Sequence, residues 1–178
     1  MSFLQLVQQR RSVRKYLPQV VPRERLERCF QAARLAPSAC NQQPWYFLAV
    51  ENLAMRQQIY QKAFTGIYSL NKFVLTAPVL VLAVTKNSGI LPAIGGTIRR
   101  TPFHLIDLAI ACEHFILQAT EEGLGTCWLG WFNERVVKKI LGLSRWERVP
   151  IIISVGYPEG QEETVSCRKS IDQIRRYI

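Results

Sequence analysis

Arg10, Arg11, Ser12 and Arg14 fall within five consecutive positions. Guanidinium forks, a hydroxyl and neighbouring backbone N–H groups are the donors that hold a phosphate well. A second polar phrase follows: Ala36-Pro37-Ser38-Ala39-Cys40-Asn41-Gln42-Gln43-Pro44-Trp45. Its small residues let backbone come close to a flat ligand, and Asn41 offers both a donor and an acceptor. A third phrase, Gly123 to Asn133, carries Leu129 and Gly130 between a strand and a helix cap, where a bare backbone N–H can approach a ligand atom. Together the first two suggest a site for a phosphorylated, planar ligand. Each of the three also has a plainer explanation. Arginines at a helix end complement the helix dipole, a Pro-Ser-Asn loop stops a helix, and glycines punctuate turns. The third phrase is not a dinucleotide fingerprint, because Gly-x-Gly-x-x-Gly does not open a strand-to-helix unit there.

The elements that must position these residues follow from caps and periodicity. Ser2 caps a first helix with Phe3, Leu6 and Val7 on one face, ending near residues 10–12. Pro22 fits the first position of a second helix, whose stripe is Leu26, Cys29, Phe30 and Ala33 and which Pro37 stops. Trp45–Val50 has strand character, Asn52 caps a helix to about Ala63, and a short helix covers 70–76. Val79–Val84 is a continuous apolar run suited to a central strand. Residues 85–100, with three Gly, one Pro and no period, read as a long loop such as a lid. Thr101-Pro102 starts a helix that reaches Glu122 and ends at Gly123. It is apolar nearly all round, so it is central in a core or lies in a subunit interface, which in a chain this small favours an oligomer. Thr126–Leu129 and Val149–Val155 read as strands, Asn133 caps a helix ended by Gly142, an acidic turn covers 159–163, and Ile171, Ile174 and Ile178 recur at near-helical spacing. Alternating helices and strands argue an α/β or α+β fold.

Composition narrows the partners. A chain of 178 residues, 48% hydrophobic, is most simply one domain, 1–178, with a real core. It has no run of apolar residues long enough for a membrane span and no charged leader before an apolar block, so the expected compartment is the cytoplasm without a membrane partner. Five cysteines, an odd number with no Cys-x-x-Cys pair, argue against a disulfide framework, and with two histidines they make no zinc site, so no metal is expected. Most should be reduced, buried, small hydrophobes. The net charge of +10 is uneven: residues 10–34 hold eight Lys/Arg and two Glu. That favours a small anionic ligand over nucleic acid, for which no motif or basic helix is present.

The order of the phrases resembles the nitroreductase family. The matching text is Arg10 to Tyr16, Ala32 to Ser38 with Asn41-x-Gln43-Pro44-Trp45, Ala77-Pro78 before a strand, the helix from Asp107 to Gly123, Gly125 to Gly130, Gly156-Tyr157-Pro158, and Arg168-Lys169. The resemblance implies a dimeric α+β fold, a three-layer α-β-α sandwich with a central, mostly antiparallel sheet. It implies a homodimer with FMN at the subunit interface, NADH or NADPH as donor, and a nitroaromatic, quinone or enone as electrophilic acceptor in a ping-pong cycle. It matches Arg10 and Ser12, with Arg11 beside them, to the FMN phosphate, and Arg14 to the flavin N1/O2 edge, where a cation favours the reduced ring. It matches Pro37, Ser38, Ala39 and Asn41 to the loop that the other subunit lays along the ring, and Leu129 and Gly130 to the backbone facing N5 and O4. Arg14 and Gly130 are thus the positions closest to the chemistry. Arg168 and Lys169 match cations returning to the phosphate. Cys40 replaces a residue that is often Gly, Ser or Thr, and Asn71 and Lys72 lie near another polar position of the family. The competing expectation is an FMN- or anion-binding protein without turnover, or a basic nucleic-acid-binding module.

Overall fold

In the computed structural model, residues 1–86, 101–160 and 167–178 are described. The elements are α1 (Phe3–Gln9), α2 (Arg23–Arg34), a single 3-10 turn (Ala39–Asn41), β1 (Trp45–Val50), α3 (Leu53–Ala63), a 3-10 segment (Gly66–Thr76), β2 (Val79–Lys86), α4 (Phe103–Glu121), β3 (Gly125–Leu129), α5 (Glu134–Leu141), β4 (Glu147–Gly156) and α6 (Ile171–Ile174). The four strands form one sheet in the order β1-β2-β4-β3, with every neighbouring pair antiparallel.

The sheet's central strand explains the two layers around it. In β2, Val79 through Thr85 are all buried. Side chains alternate across a strand, so Leu80, Leu82 and Val84 enter one core with Ile59, Phe64 and Val137. Val79, Val81 and Ala83 enter the other, with Cys29, Leu108 and Phe115. Helices α3 and α5 cover the first face, and α2 and α4 pack together over the second. A three-layer α+β sandwich results. Each fully buried Leu or Ile here contributes about 1.5–3 kcal/mol of transfer free energy.

Local chemistry sets most of the boundaries. Ser2 Oγ accepts from Gln5 N while the Gln5 side chain accepts from Ser2 N, a reciprocal cap. Asn52 and Asn133 accept from Met55 N and Val136 N at the starts of α3 and α5. Gly142 ends α5 at φ 65°.

Several expectations shift. Pro22 is the cap of α2 rather than its first residue. The short helix near 70–76 begins earlier, at Gly66, as a 3-10 segment kinked at Asn71. Thr85 and Lys86 belong to β2, not to a loop, because Thr85 pairs with Trp45 and its hydroxyl donates to Pro44 O (2.7 Å). The rest of the expected 85–100 loop lies outside the described residues, as does most of the acidic turn. The tail is helical for a single turn only. Cys29, Cys112 and Cys127 are buried, but Cys40 and Cys167 are exposed. No residue of α1 is buried, and α4 leaves Leu105 and Ile106 exposed.

Candidate functional site

The basic phrase is carried by an extended segment laid against the sheet. After α1 ends, Ser12 pairs in parallel with Thr126 on the outer edge of β3, and Tyr16 pairs with Pro158. Val13 N donates to Thr126 O (2.8 Å), Leu17 N to Tyr157 O (2.9 Å), and Glu159 N to Lys15 O (3.0 Å). Extended backbone alternates its side chains. Val13 therefore enters the core while Ser12 and Arg14 stay exposed. The Tyr16 phenol donates to Val13 O (2.7 Å) and shares a 2.8 Å hydrogen bond with Ser154 Oγ, and burial raises its pKa.

Two glycines make this close approach feasible. A Cβ on Gly125 would lie 2.6 Å from Val13 Cγ2, and one on Gly156 would lie 2.5 Å from Pro78 Cδ and 2.9 Å from Tyr16 Cδ1. Gly125, which reads as punctuation in the sequence, and Gly156, part of the Gly156-Tyr157-Pro158 phrase, are clearance for the segment that carries the cations.

Arg11, Ser12, Arg14 and Lys15 line one open cleft of about 170 Å³, closed on the far side by Pro158, Glu159 and Gly160. Arg11 Nη2 donates to Gly160 O (3.2 Å) and Arg14 Nη1 to Ser12 O (3.4 Å). Burial pushes the Cys127 thiol pKa up, while Arg14, a hydrogen bond with Ser12, and Arg10 pull it back. Arg10 caps α1 at the cleft's shoulder and also lowers the burial-raised pKa of Glu113 on α4. The cleft is thus a cationic notch with one carboxylate, Glu159, on its rim.

The second phrase is held differently. The Pro37–Gln43 loop places Cys40, Asn41 and Gln43 at φ 53°, 53° and 44°. Left-handed backbone costs a non-glycine residue roughly 1–2 kcal/mol, so the surroundings must enforce it. Ser38 Oγ accepts from Gln43 N (2.9 Å), and Asp107 Oδ1 accepts from Ala39 N (3.1 Å). Asp107, 6% exposed, pins this loop to α4. Sequence reasoning missed this residue. The available signal was an acid on the inward face of an apolar helix, since a buried carboxylate requires a donor. Pro37 and Asn41 stay exposed, and Ser38 and Ala39 are half-buried.

At the other end of β3, Leu129 is buried and Gly130 is exposed. Nothing in the described chain requires a glycine there. Its φ lies outside the left-handed region, and a Cβ would meet only Ile151 Cδ1, at 3.9 Å. Asn71 Nδ2 donates to Trp131 O (3.2 Å) and Trp131 Nε1 to Ile67 O (2.6 Å), so the Asn71 turn borders the Gly130 segment, while Lys72 is exposed. Arg168 and Lys169 lie in the exposed tail. Arg168 Nη1 donates to Cys167 O (3.4 Å), and no hydrogen bond or ion pair among the described residues joins either cation to the 10–14 segment. One protomer therefore brings Arg11, Ser12 and Arg14 together, with Arg10 beside them, but not the tail.

The family model described as "Nitroreductase family" matches residues 7–157, which covers the cationic segment, the Asp107-pinned loop and Gly130. The chain belongs to the nitroreductase family. A relative from Archaeoglobus fulgidus, provisionally named NADH dehydrogenase/NAD(P)H nitroreductase, is 31% identical over 97% of this chain and 96% of its own length. Iodotyrosine deiodinase 1 of Rattus norvegicus is 28% identical over 97% of this chain and 68% of its own. The solved structure of an FMN-dependent nitroreductase from Clostridium difficile R20291 superposes with a TM-score of 0.81 at 23% identity, over 98% of each chain, and shares the fold. Within this nitroreductase-family chain, no helix among the described residues is long and apolar enough to cross a membrane, and no described group of three or more His, Cys, Asp or Glu could hold a metal ion.

Proposed function

We propose that the protein is an FMN-dependent NAD(P)H oxidoreductase, a single domain over 1–178 acting as a cytoplasmic homodimer. The observation that carries this reading is that the cationic cleft and Gly130 sit at opposite ends of β3. Thr126 pairs with Ser12, and Gly130 follows four residues later. At about 3.3 Å per residue the span is roughly 13 Å, the scale of a phosphorylated chain joined to a planar ring. The donor set suits such a ligand: guanidinium and hydroxyl groups at one end, and at the other a glycine whose backbone no side chain shields.

The chemistry the cofactor supplies is hydride exchange at N5, first from NADH or NADPH and then to an electrophilic acceptor, in a ping-pong cycle. The protein's part is binding, orientation and charge. Arg10, Arg11 and Ser12 hold the phosphate. Arg14, further along the same strand, presents a fixed cation to the pyrimidine edge, where negative charge grows on reduction. The Leu129–Gly130 backbone borders the reacting side of the ring. The Pro37, Ser38, Ala39 and Asn41 loop, stiffened by Asp107, lines the ring of the facing protomer. Arg168 and Lys169 return to the phosphate once a second copy orders the tail. The exposed apolar residues of α1 and α4 supply the subunit contact. No side chain serves as an obligatory nucleophile or general base.

Purified protein should show a flavin spectrum, release FMN on denaturation, and bleach under nitrogen with NADH or NADPH. Bleaching by neither nucleotide would end the reductase reading and leave a flavin binder, and a colourless protein that shifts nucleic acid would favour the basic-module reading. The acceptor class is a nitroaromatic, quinone or enone. The deiodinase relative favours one further acceptor, an iodinated phenol, and iodide release from 3-iodotyrosine by the reduced protein separates the two.

A further inference from the structure

A larger cavity lies on the other side of Tyr16, away from the cationic cleft. It measures about 450 Å³, within the range of small-molecule sites. Its walls are mainly apolar, with Val20, Leu53 and Leu75 at the rim and Tyr16 and Pro78 at the base. Arg56 projects from α3 into this lining. Its Nε donates to Glu51 O (3.2 Å) and its Nη1 to Ala77 O (2.6 Å), both backbone carbonyls. No carboxylate among the described residues pairs with it. Glu51, the one acid in the cavity lining, is already engaged by Arg23 (Nη2 at 3.0 Å and Nε at 3.1 Å). Arg56 is partly desolvated, and burial lowers its pKa. A half-buried guanidinium bonded only to neutral acceptors keeps a charge that no carboxylate pairs with directly.

We propose that this cavity binds a small organic monocarboxylate with an apolar body. With Nε and one N–H of Nη1 committed, the second N–H of Nη1 and both on Nη2 are left to meet an anion. One guanidinium suits a single negative charge, whereas a phosphate dianion needs several cationic donors. The valine, leucine and proline walls take up the hydrocarbon. The site is separate from the β3 cleft and does not depend on the flavin reading.

The test uses cyclohexanecarboxylate, its neutral isostere cyclohexanecarboxamide, and acetate, titrated calorimetrically into the full-length protein as isolated. The acid should bind at least tenfold tighter than either comparator. Arg56→Met should abolish that preference. Leu75→Trp, which fills the cavity from its exposed edge and leaves the arginine in place, should abolish binding of the acid, so the site is tested even if the Arg56 variant does not fold. Arg34→Ala, which removes an exposed cation outside both sites, should leave binding of the acid unaltered. Equal affinity for acid and amide would overturn the anion assignment. Binding that survives Leu75→Trp, or that disappears in Arg34→Ala, would overturn the cavity itself. None of these outcomes bears on whether the protein carries FMN.

Discussion

Residues 10–17 and residues 167–178 carry the two sets of cations proposed for one phosphate, Arg10 and Arg11 in the first and Arg168 and Lys169 in the second, yet they are held in opposite ways. The first segment is bonded to β3 and to the chain after β4 through Val13, Lys15 and Leu17, keyed into the core by Val13 and Tyr16, and given clearance by Gly125 and Gly156. The second is held by its own neighbours: a reciprocal cap at Ser170, Arg175 on Asp172 (2.8 Å), and Arg175 stacked over Tyr177 (4.9 Å). Ile171, Ile174, Tyr177 and Ile178 all face solvent. Large apolar side chains spaced along an exposed tail are a surface awaiting a partner. In the proposed phosphate site, a single protomer thus preorganises one half, and the other half would come with assembly.

The largest expected effect comes from breaking the organised half. Gly156→Ala drives a Cβ into both Pro78 and Tyr16, at the top of the overpacking range, about 3 kcal/mol. Thermal unfolding should fall, and FMN retention with it, because the 12–17 segment must lift. An unchanged melting temperature would show that the clamp is looser than its contacts. Arg10→Ala should weaken FMN binding roughly 10- to 150-fold, the cost of one charge-assisted contact of about 1.5–3 kcal/mol. Arg34→Ala, exposed on α2 and bonded to Gln31, should not. Equal FMN affinities of the two variants by fluorescence titration would contradict the phosphate assignment.

Arg168→Ala sharpens the contrast. Stability should move by no more than about 0.5 kcal/mol, as for an exposed surface residue, while FMN affinity falls about tenfold in the dimer. If affinity holds, the tail has no part in the site.

The smallest effect on FMN affinity at neutral pH belongs to Glu147, which serves as a control. Tyr46 Oη (2.7 Å), Ser144 N (2.7 Å) and Lys86 Nζ (3.1 Å) surround its carboxylate and hold its pKa down to about 2. A carboxyl depressed in the folded state stabilises fully above its ordinary value, here 4.5, and loses that contribution as pH falls from there towards 2. Glu147→Gln should flatten the acid limb of melting temperature against pH in that window without altering FMN affinity at pH 7. A parallel loss of FMN would mean that cofactor retention merely follows stability.

Short-range physics was legible along the chain. The caps at Ser2, Asn52 and Asn133, the end at Gly142 and the buried run of β2 depend on residues within a few positions of each other, and the structure has them where periodicity and capping chemistry require. The cationic phrase was legible as a cluster of donors, and the family could be recognised from the order of its motifs. What stayed hidden were long-range pairings. That Gly125 and Gly156 make room for Val13 and Tyr16, that Asp107 secures Ala39 from 68 residues away, and that an uncompensated Arg56 faces a cavity are properties of the packed tertiary structure alone. Residue types and spacings determine which groups are available and which local turns they favour. Only the closed sheet decides which distant backbone N–H meets a buried carboxylate and which side chain is left without a counter-charge, because burial and hydrogen-bond satisfaction depend on neighbours in space.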